Sequence, residues 1–235
     1  MKRKMPQKTG IVMIAAGAVL ILAALLLLLY NNAVSERAGR ESDAVMDGLR
    51  AAIAQREQRK TRETAPDVIA APDTAAPEAD VTSDTTAAVT TDAETEPAAP
   101  RTEMTVVAVN GHDYIGYIES PAISLSLPVM AEWSDERLKI TPCRHFGATW
   151  TDDLVIAGHN YRRHFASLKK LVPGDGVSFT DMDGNVIEYA VTKSETMLPT
   201  AVDAVQNSGH DLVLYTCTYS GDTRTVVFCD RTEPT

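Results

Sequence analysis

No aromatic residue occurs between Tyr30 and Tyr114, and no lysine or arginine between Glu63 and Pro100. A stretch like Thr64 to Arg101, rich in Ala, Pro, Thr and acid, cannot bury enough apolar surface to offset the entropy of ordering it. Asp67, Asp73, Glu78, Asp80, Asp84, Asp92, Glu94 and Glu96 lie there without a basic counterpart, the pattern of a solvated, self-repelling spacer. Cysteine is scarce too, with three in the chain. Their spacing and that of the histidines match no strong zinc pattern, such as Cys-x-x-Cys. Basic residues number 22 against 32 acidic ones, a formal charge of −10. That balance argues against nucleic acid, which asks for a basic face.

What the spacer lacks is present on either side of it. From Ile11 to Leu29 the chain carries no charge, and at about 1.5 Å per residue this run matches a hydrocarbon core roughly 30 Å thick. It exceeds the apolar region of an ordinary signal peptide, about 7–15 residues, so residues 11–30 are expected to be an uncleaved single-pass anchor. Lys2, Arg3, Lys4 and Lys8 precede it, which places residues 1–10 in the cytoplasm and the rest outside the cell membrane. Residues 31–63 form a juxtamembrane stalk. Val45, Leu49, Ala52 and Ile53 fall at helical spacing there, too briefly for a coiled coil, so a loose, partly helical stalk is expected. Residues 64–103 are the disordered linker, and 104–235 the folded domain.

Within that last segment apolar, β-rich runs recur with turn signals between them: MTVVAV before Asn110-Gly111, YIGYIES, AISLSLPV, DDLVIAGH, GVSFTD before Asp183-Gly184, VIEYAVTKS, DLVLYTC and RTVVFCD. Asp-Gly between two alternating runs is a good hairpin signal. SDERLKIT and RHFASLKKL are expected to be short helices. About eight strands with few helices point to an all-β barrel or sandwich.

Cys217 ends the apolar run Leu212-Val213-Leu214-Tyr215. A strand of that kind would hold its Sγ rigidly at a rim, and a nearby cation favours the nucleophilic thiolate. Arg224, a permanent cation, follows the turn Tyr219-Ser220-Gly221-Asp222 and would return beside Cys217, where its fork of donors suits an oxyanion. His159 follows another apolar run, LVIAG, and is the candidate proton carrier. Taken singly, a strand cysteine is commonly an inert core thiol and a strand-end histidine commonly just hydrogen-bonded.

At these residues the sequence resembles the sortases. LYTCTYSGDTR is similar to the Thr-Leu-x-Thr-Cys signature of that family with its following arginine, and LVIAGHN to its histidine strand. The resemblance covers about Thr105 to Thr235. It implies an eight-stranded sortase-type β-barrel and a cysteine transpeptidase; no cofactor is expected, and no metal is assigned, although some members of the family bind calcium. Cys217 would be the nucleophile, His159 the acid and base, Arg224 the oxyanion or substrate ligand, and Thr216 a residue shaping the substrate groove. The partners implied are surface proteins with a C-terminal LPXTG-like sorting signal and an amine of a cell-wall precursor or a pilin. Two positions depart from the pattern. Val213-Leu214 replaces the first Thr-Leu pair, and Asn160 follows the histidine where many housekeeping and pilus-type members have arginine. With the short spacing from Cys217 to Arg224, the second departure leans towards a class B-like group. A catalytically silent peptide-binding module and a cysteine peptidase that only hydrolyses are the alternatives. The former sits poorly with three filled functional positions.

The remaining marked residues have plainer readings. Cys143 and Cys229 are expected as separate buried thiols, and His145 and His164 as surface or groove-rim residues. Arg162, Arg163, Lys169 and Lys170 form the solvated face of a short helix with Phe165, Leu168 and Leu171 turned inward. Asp152, Asp153, Asp181 and Asp183 are turn residues. The groove loops, such as residues 197–210, yield no reading.

Overall fold

The structure, a computed structural model, describes residues 7–64 and 103–232. The first six residues, with three of the four lysines and arginines used to orient the anchor, and nearly all of the expected linker lie outside the described residues.

Eight strands close into a barrel. In ring order they are β2 (His112–Ser120), β3 (Leu125–Met130), β4 (Cys143–Phe146), β5 (Leu154–Gly158), β8 (Leu212–Cys217), β9 (Arg224–Arg231), β7 (Val186–Met197) and β6 (Gly176–Asp181), and β6 pairs back onto β2. A ninth strand, β1 (Val107–Val109), is a hairpin arm on β2. The expected eight-stranded β-barrel is therefore the observed fold. Pairs β3–β4 and β5–β8 are parallel and the others antiparallel. The two helices expected from sequence are present in shortened form, α2 (Asp135–Leu138) and a 3-10 turn at Phe165–Lys170. A further short helix, α3 (Val202–Gln206), packs outside the barrel.

Turn chemistry closes the hairpins. Asn110 and Gly111 have φ of 52° and 79° between paired Val109 and His112, as a two-residue primed turn requires. At the other hairpin Asp181 Oδ1 accepts from the backbone N–H groups of Asp183 and Asn185, each at 2.9 Å. Gly116, at a register shift in β2, has φ of 153°, and a Cβ there would meet Thr180 O at 2.1 Å.

The barrel interior is filled from every strand except β1 and β4, with Ile115, Ile118, Leu154, Ile156, Phe179, Leu212, Leu214 and Val227 almost fully buried. Strands β5 and β8 are covered on their outer faces as well, where Val155 and Val213 meet Val205 of α3, Val226 and Phe228. Burial on both faces is why LVIAG and LVLY read as unbroken apolar runs rather than alternating ones.

The stalk departs from expectation. Gln7 to Thr64 is one continuous helix, α1, and its second half is docked on the barrel rather than loose. Val45, Leu49 and Ile53 recur every four residues and pack with Tyr114, Met130, Leu138, Cys143, Ala157 and Met182. Arg50 pairs with Glu119 at 2.9 Å and Arg56 with Asp183 at 3.3 Å around that seam. The first half is apolar, exposed, and long enough to cross a membrane, with a best 18-residue window of mean hydropathy 3.0.

Candidate active site

Residue parity on three neighbouring strands builds the site. Side chains alternate across a strand, and in β8 Leu212 and Leu214 point into the barrel while Val213 faces out. Tyr215 and Cys217 therefore share the outer face. In β5, Val155 and Ala157 lie outside the interior cluster, and His159 follows them in parity. In β9, Val227 and Cys229 face in and Val226 and Phe228 face out, which puts Arg224 on the outer face too.

Register then sets them side by side. Gly158 is paired with Thr216 in the parallel ladder, so the next step brings His159 alongside Cys217. Cys217 is itself paired with Arg224 across the antiparallel ladder. Adjacent strands lie about 4.8 Å apart, so the three residues form a short row along one rim, with the cysteine in the middle.

Each member is held by its surroundings. The imidazole of His159 stacks on Tyr161, ring centroids 4.6 Å apart, and the His159 carbonyl accepts from Phe165 N at 3.1 Å. Burial lowers the His159 pKa; the charge on Asp135 opposes this and Lys139 adds to it. Cys217 is half-buried. The guanidinium of Arg224 is tethered through Nη1, which donates to the carbonyls of Gly221 at 3.0 Å and Thr223 at 3.1 Å.

Beside the row is a cavity of about 140 Å³ lined by His145, Phe146, Met197, Leu198, Pro199, Val202, Tyr215 and Arg224 among others. It is an apolar groove with the arginine on its wall. Tyr215 Oη and His145 Nδ1 are hydrogen-bonded at 2.7 Å, and the His145 ring lies 5.2 Å from that of Trp133. Burial raises the Tyr215 pKa to about 12, Arg224 partly opposing, and lowers that of His145. Both groups are thus neutral at physiological pH, and the pair is an uncharged polar contact in the groove wall.

His159, Cys217 and Arg224 are brought together, but Thr216 is not among them. Its side chain is on the opposite face, 3% exposed, with Oγ1 unpartnered. Parity dictates this, since the residue before an outward cysteine must point inward. Thr216 can bear on the groove only by setting the backbone of β8. His164, expected as a surface or groove-rim residue, is 1% exposed, with the backbone of Ala38 in α1 beside its ring. His145 is at the groove, as expected. Tyr215 and Tyr161 were missed, although Tyr215, two residues before Cys217, carried the signal of a shared face. Cys143 and Cys229 are free buried thiols in different clusters. Among the described residues no three His, Cys, Asp or Glu side chains converge to hold a metal ion.

Comparison with known proteins points to one family. Residues 118–232 match the family model of the sortase domain. Sortase A of Bacillus anthracis is 27% identical over 121 residues, a match that spans 49% of this chain and 57% of that relative. Among solved structures, Clostridium perfringens sortase C, determined with the C-terminal cell wall sorting motif, is 24% identical with a TM-score of 0.47, covering 52% of this chain and 72% of the other. A Clostridium perfringens sortase D5 transpeptidase is 21% identical with a TM-score of 0.47, covering 54% and 83%. The matched domain and the barrel that contains it identify residues 118–232 as a domain of the sortase family, with the row of histidine, cysteine and arginine on its rim.

Proposed function

We propose that this chain is a membrane-anchored cysteine transpeptidase that acts on an LPXTG-like sorting signal. One observation carries the reading: β5, β8 and β9 place His159, Cys217 and Arg224 in one row beside an apolar groove. Leu and Pro of such a signal suit that groove, and the scissile carbonyl would then lie over Cys217.

The thiolate of Cys217 attacks the carbonyl carbon of the signal's threonine, forming a C–S bond and a tetrahedral oxyanion that Arg224 stabilises through its remaining N–H groups. The adduct collapses with cleavage of the C–N bond, and the departing amine takes a proton from His159. A thioacyl enzyme remains. An incoming amine gives its proton back to His159, attacks the thioester and releases Cys217, so that one amide is exchanged for another. The acceptor is an amine of a cell-wall precursor or a pilin. The apolar half of α1 spans the cell membrane with its short first segment in the cytoplasm, leaving the barrel outside, where both substrates are found.

The test follows from the second half-reaction. With a cleaved LPXTG-like peptide, rising concentrations of an added amine such as triglycine should divert product from free acid to amide at unchanged total turnover. A product that stays free acid at every amine concentration would mark a hydrolase and overturn the transpeptidase assignment.

A further inference from the structure

The docked half of α1 reaches the segment that carries the histidine. Ser35, Ala38 and Ser42 are 5%, 3% and 1% exposed, and with Gly39 they form one small-residue face at helical spacing. Against it lies the turn from Tyr161 to His164. Ser35 Oγ accepts from the Arg163 backbone N–H at 3.4 Å, and Asp43 Oδ2 meets Arg163 Nη2 at 2.5 Å. Ser42 Oγ donates to the carbonyl of Ile140 at 3.1 Å.

The approach is close. A Cβ on Gly39 would fall 2.4 Å from Arg163 Nε and 2.9 Å from its Cβ and Cγ. Because the latter two atoms are next to the backbone, the turn itself would have to move. His164 fills the space between turn and helix, 1% exposed, its ring 5.4 Å from that of Tyr161, which stacks on His159 at 4.6 Å. The inner side of the turn is held by Phe165, whose N–H bonds the His159 carbonyl and whose ring leaves no room for a Cβ on Gly158. The outer side is held by α1.

We propose that α1 is a positioning element for His159: its small-residue face seats the Tyr161–His164 turn, and Tyr161 in turn fixes the imidazole beside Cys217. The inference rests on His159 and Cys217 acting as a pair. It makes the anchor part of the catalytic unit rather than a tether. Ser35 is five residues beyond Tyr30, about 7.5 Å along the helix, so tilting of the apolar half would be felt at the histidine.

The test uses the full chain in detergent micelles and the series Gly39→Ala, Gly39→Val and Gly39→Leu. Gly48→Ala is the control, since a Cβ there meets nothing nearer than Val109 Cγ1 at 3.4 Å. The readouts are the pH profile of Cys217 alkylation by iodoacetamide, located by peptide mass, and the Tm. The profile is expected to shift stepwise with side-chain size, by about one pH unit for Gly39→Leu, or about tenfold in reactive thiol at a given pH. Gly48→Ala should superimpose on wild type. Profiles of all three Gly39 variants that coincide with wild type would overturn the proposal whether or not Tm falls, because loss of stability alone leaves the profile in place. His159→Ala separates the two readings. If it shifts the profile while the Gly39 series does not, positioning by α1 fails alone; if it too leaves the profile unchanged, the catalytic pairing fails with it.

Discussion

Lowering the pH should loosen the seam between α1 and the barrel at one residue, His164. It is 1% exposed, and its pKa is pushed down to about 4, chiefly by burial, then by the charges of His159 and Arg163, with the backbone groups of Ala38 and Ile140 opposing in part. No hydrogen bond of normal geometry reaches either ring nitrogen. In the unfolded chain the same ring titrates near 6.5. Between those values the unfolded state binds a proton that the native state refuses, so stability falls as pH drops from about 6.5 to 4 and is insensitive to this group outside that window. The difference of roughly 2.5 units corresponds to about 3 kcal/mol, and most of it, about 2–3 kcal/mol, should be lost between pH 7.5 and 4.5. Urea unfolding of the full chain in mild detergent, followed by the fluorescence of Trp133 and Trp150, gives the wild-type loss. His164→Gln, which cannot titrate, gives the loss due to all other groups. Wild type should lose about 2–3 kcal/mol more than the variant. Equal losses would mean that the ring is solvated, and that α1 does not cover it.

Other perturbations test the docking and the barrel separately. Leu49 is 0% exposed in the α1 seam, and Leu49→Ala should cost about 2–5 kcal/mol in the same unfolding assay; a cost below about 1 kcal/mol would indicate an undocked helix. Gly116→Ala places a Cβ against Thr180 O where β2 meets β6, and should cost about 3 kcal/mol or more, read as a fall in Tm or loss of soluble barrel. A wild-type Tm for that variant would contradict the closure of the barrel at β2–β6.

Much of the barrel was legible because its strands announce themselves. Strands β5 and β8 carry long apolar runs, and Asn110-Gly111 and Asp183-Gly184 mark the β1–β2 and β6–β7 turns chemically. Strand β4 was not found, being four residues, Cys-Arg-His-Phe, with only Cys143 buried. Helix α3 has a single buried residue, Val205, and so no periodicity to detect. The row of His159, Cys217 and Arg224 was legible from strand-end placement. The misplaced residues, Thr216 and His164, show two different limits. Thr216 needed the parity of its own strand, which is local and was available. His164 needed to be matched with Ala38, more than a hundred positions away, and spacing in α1 reveals which face is apolar but not what covers it. For the same reason Val45, Leu49 and Ile53 suggested a helix, while the barrel surface beneath them, from Tyr114 to Met182, did not show in the sequence.

The central claim is that Cys217 forms a thioacyl enzyme. The direct measurement is the intact mass of the full chain after mixing with a pool of LPXTG-like peptides, followed by peptide mapping. The account predicts an acyl adduct on Cys217, none on the buried Cys143 or Cys229, discharge by added amine, and no adduct in Cys217→Ala. An adduct that persists in Cys217→Ala, or peptide cleavage by that variant at the wild-type rate, would contradict it.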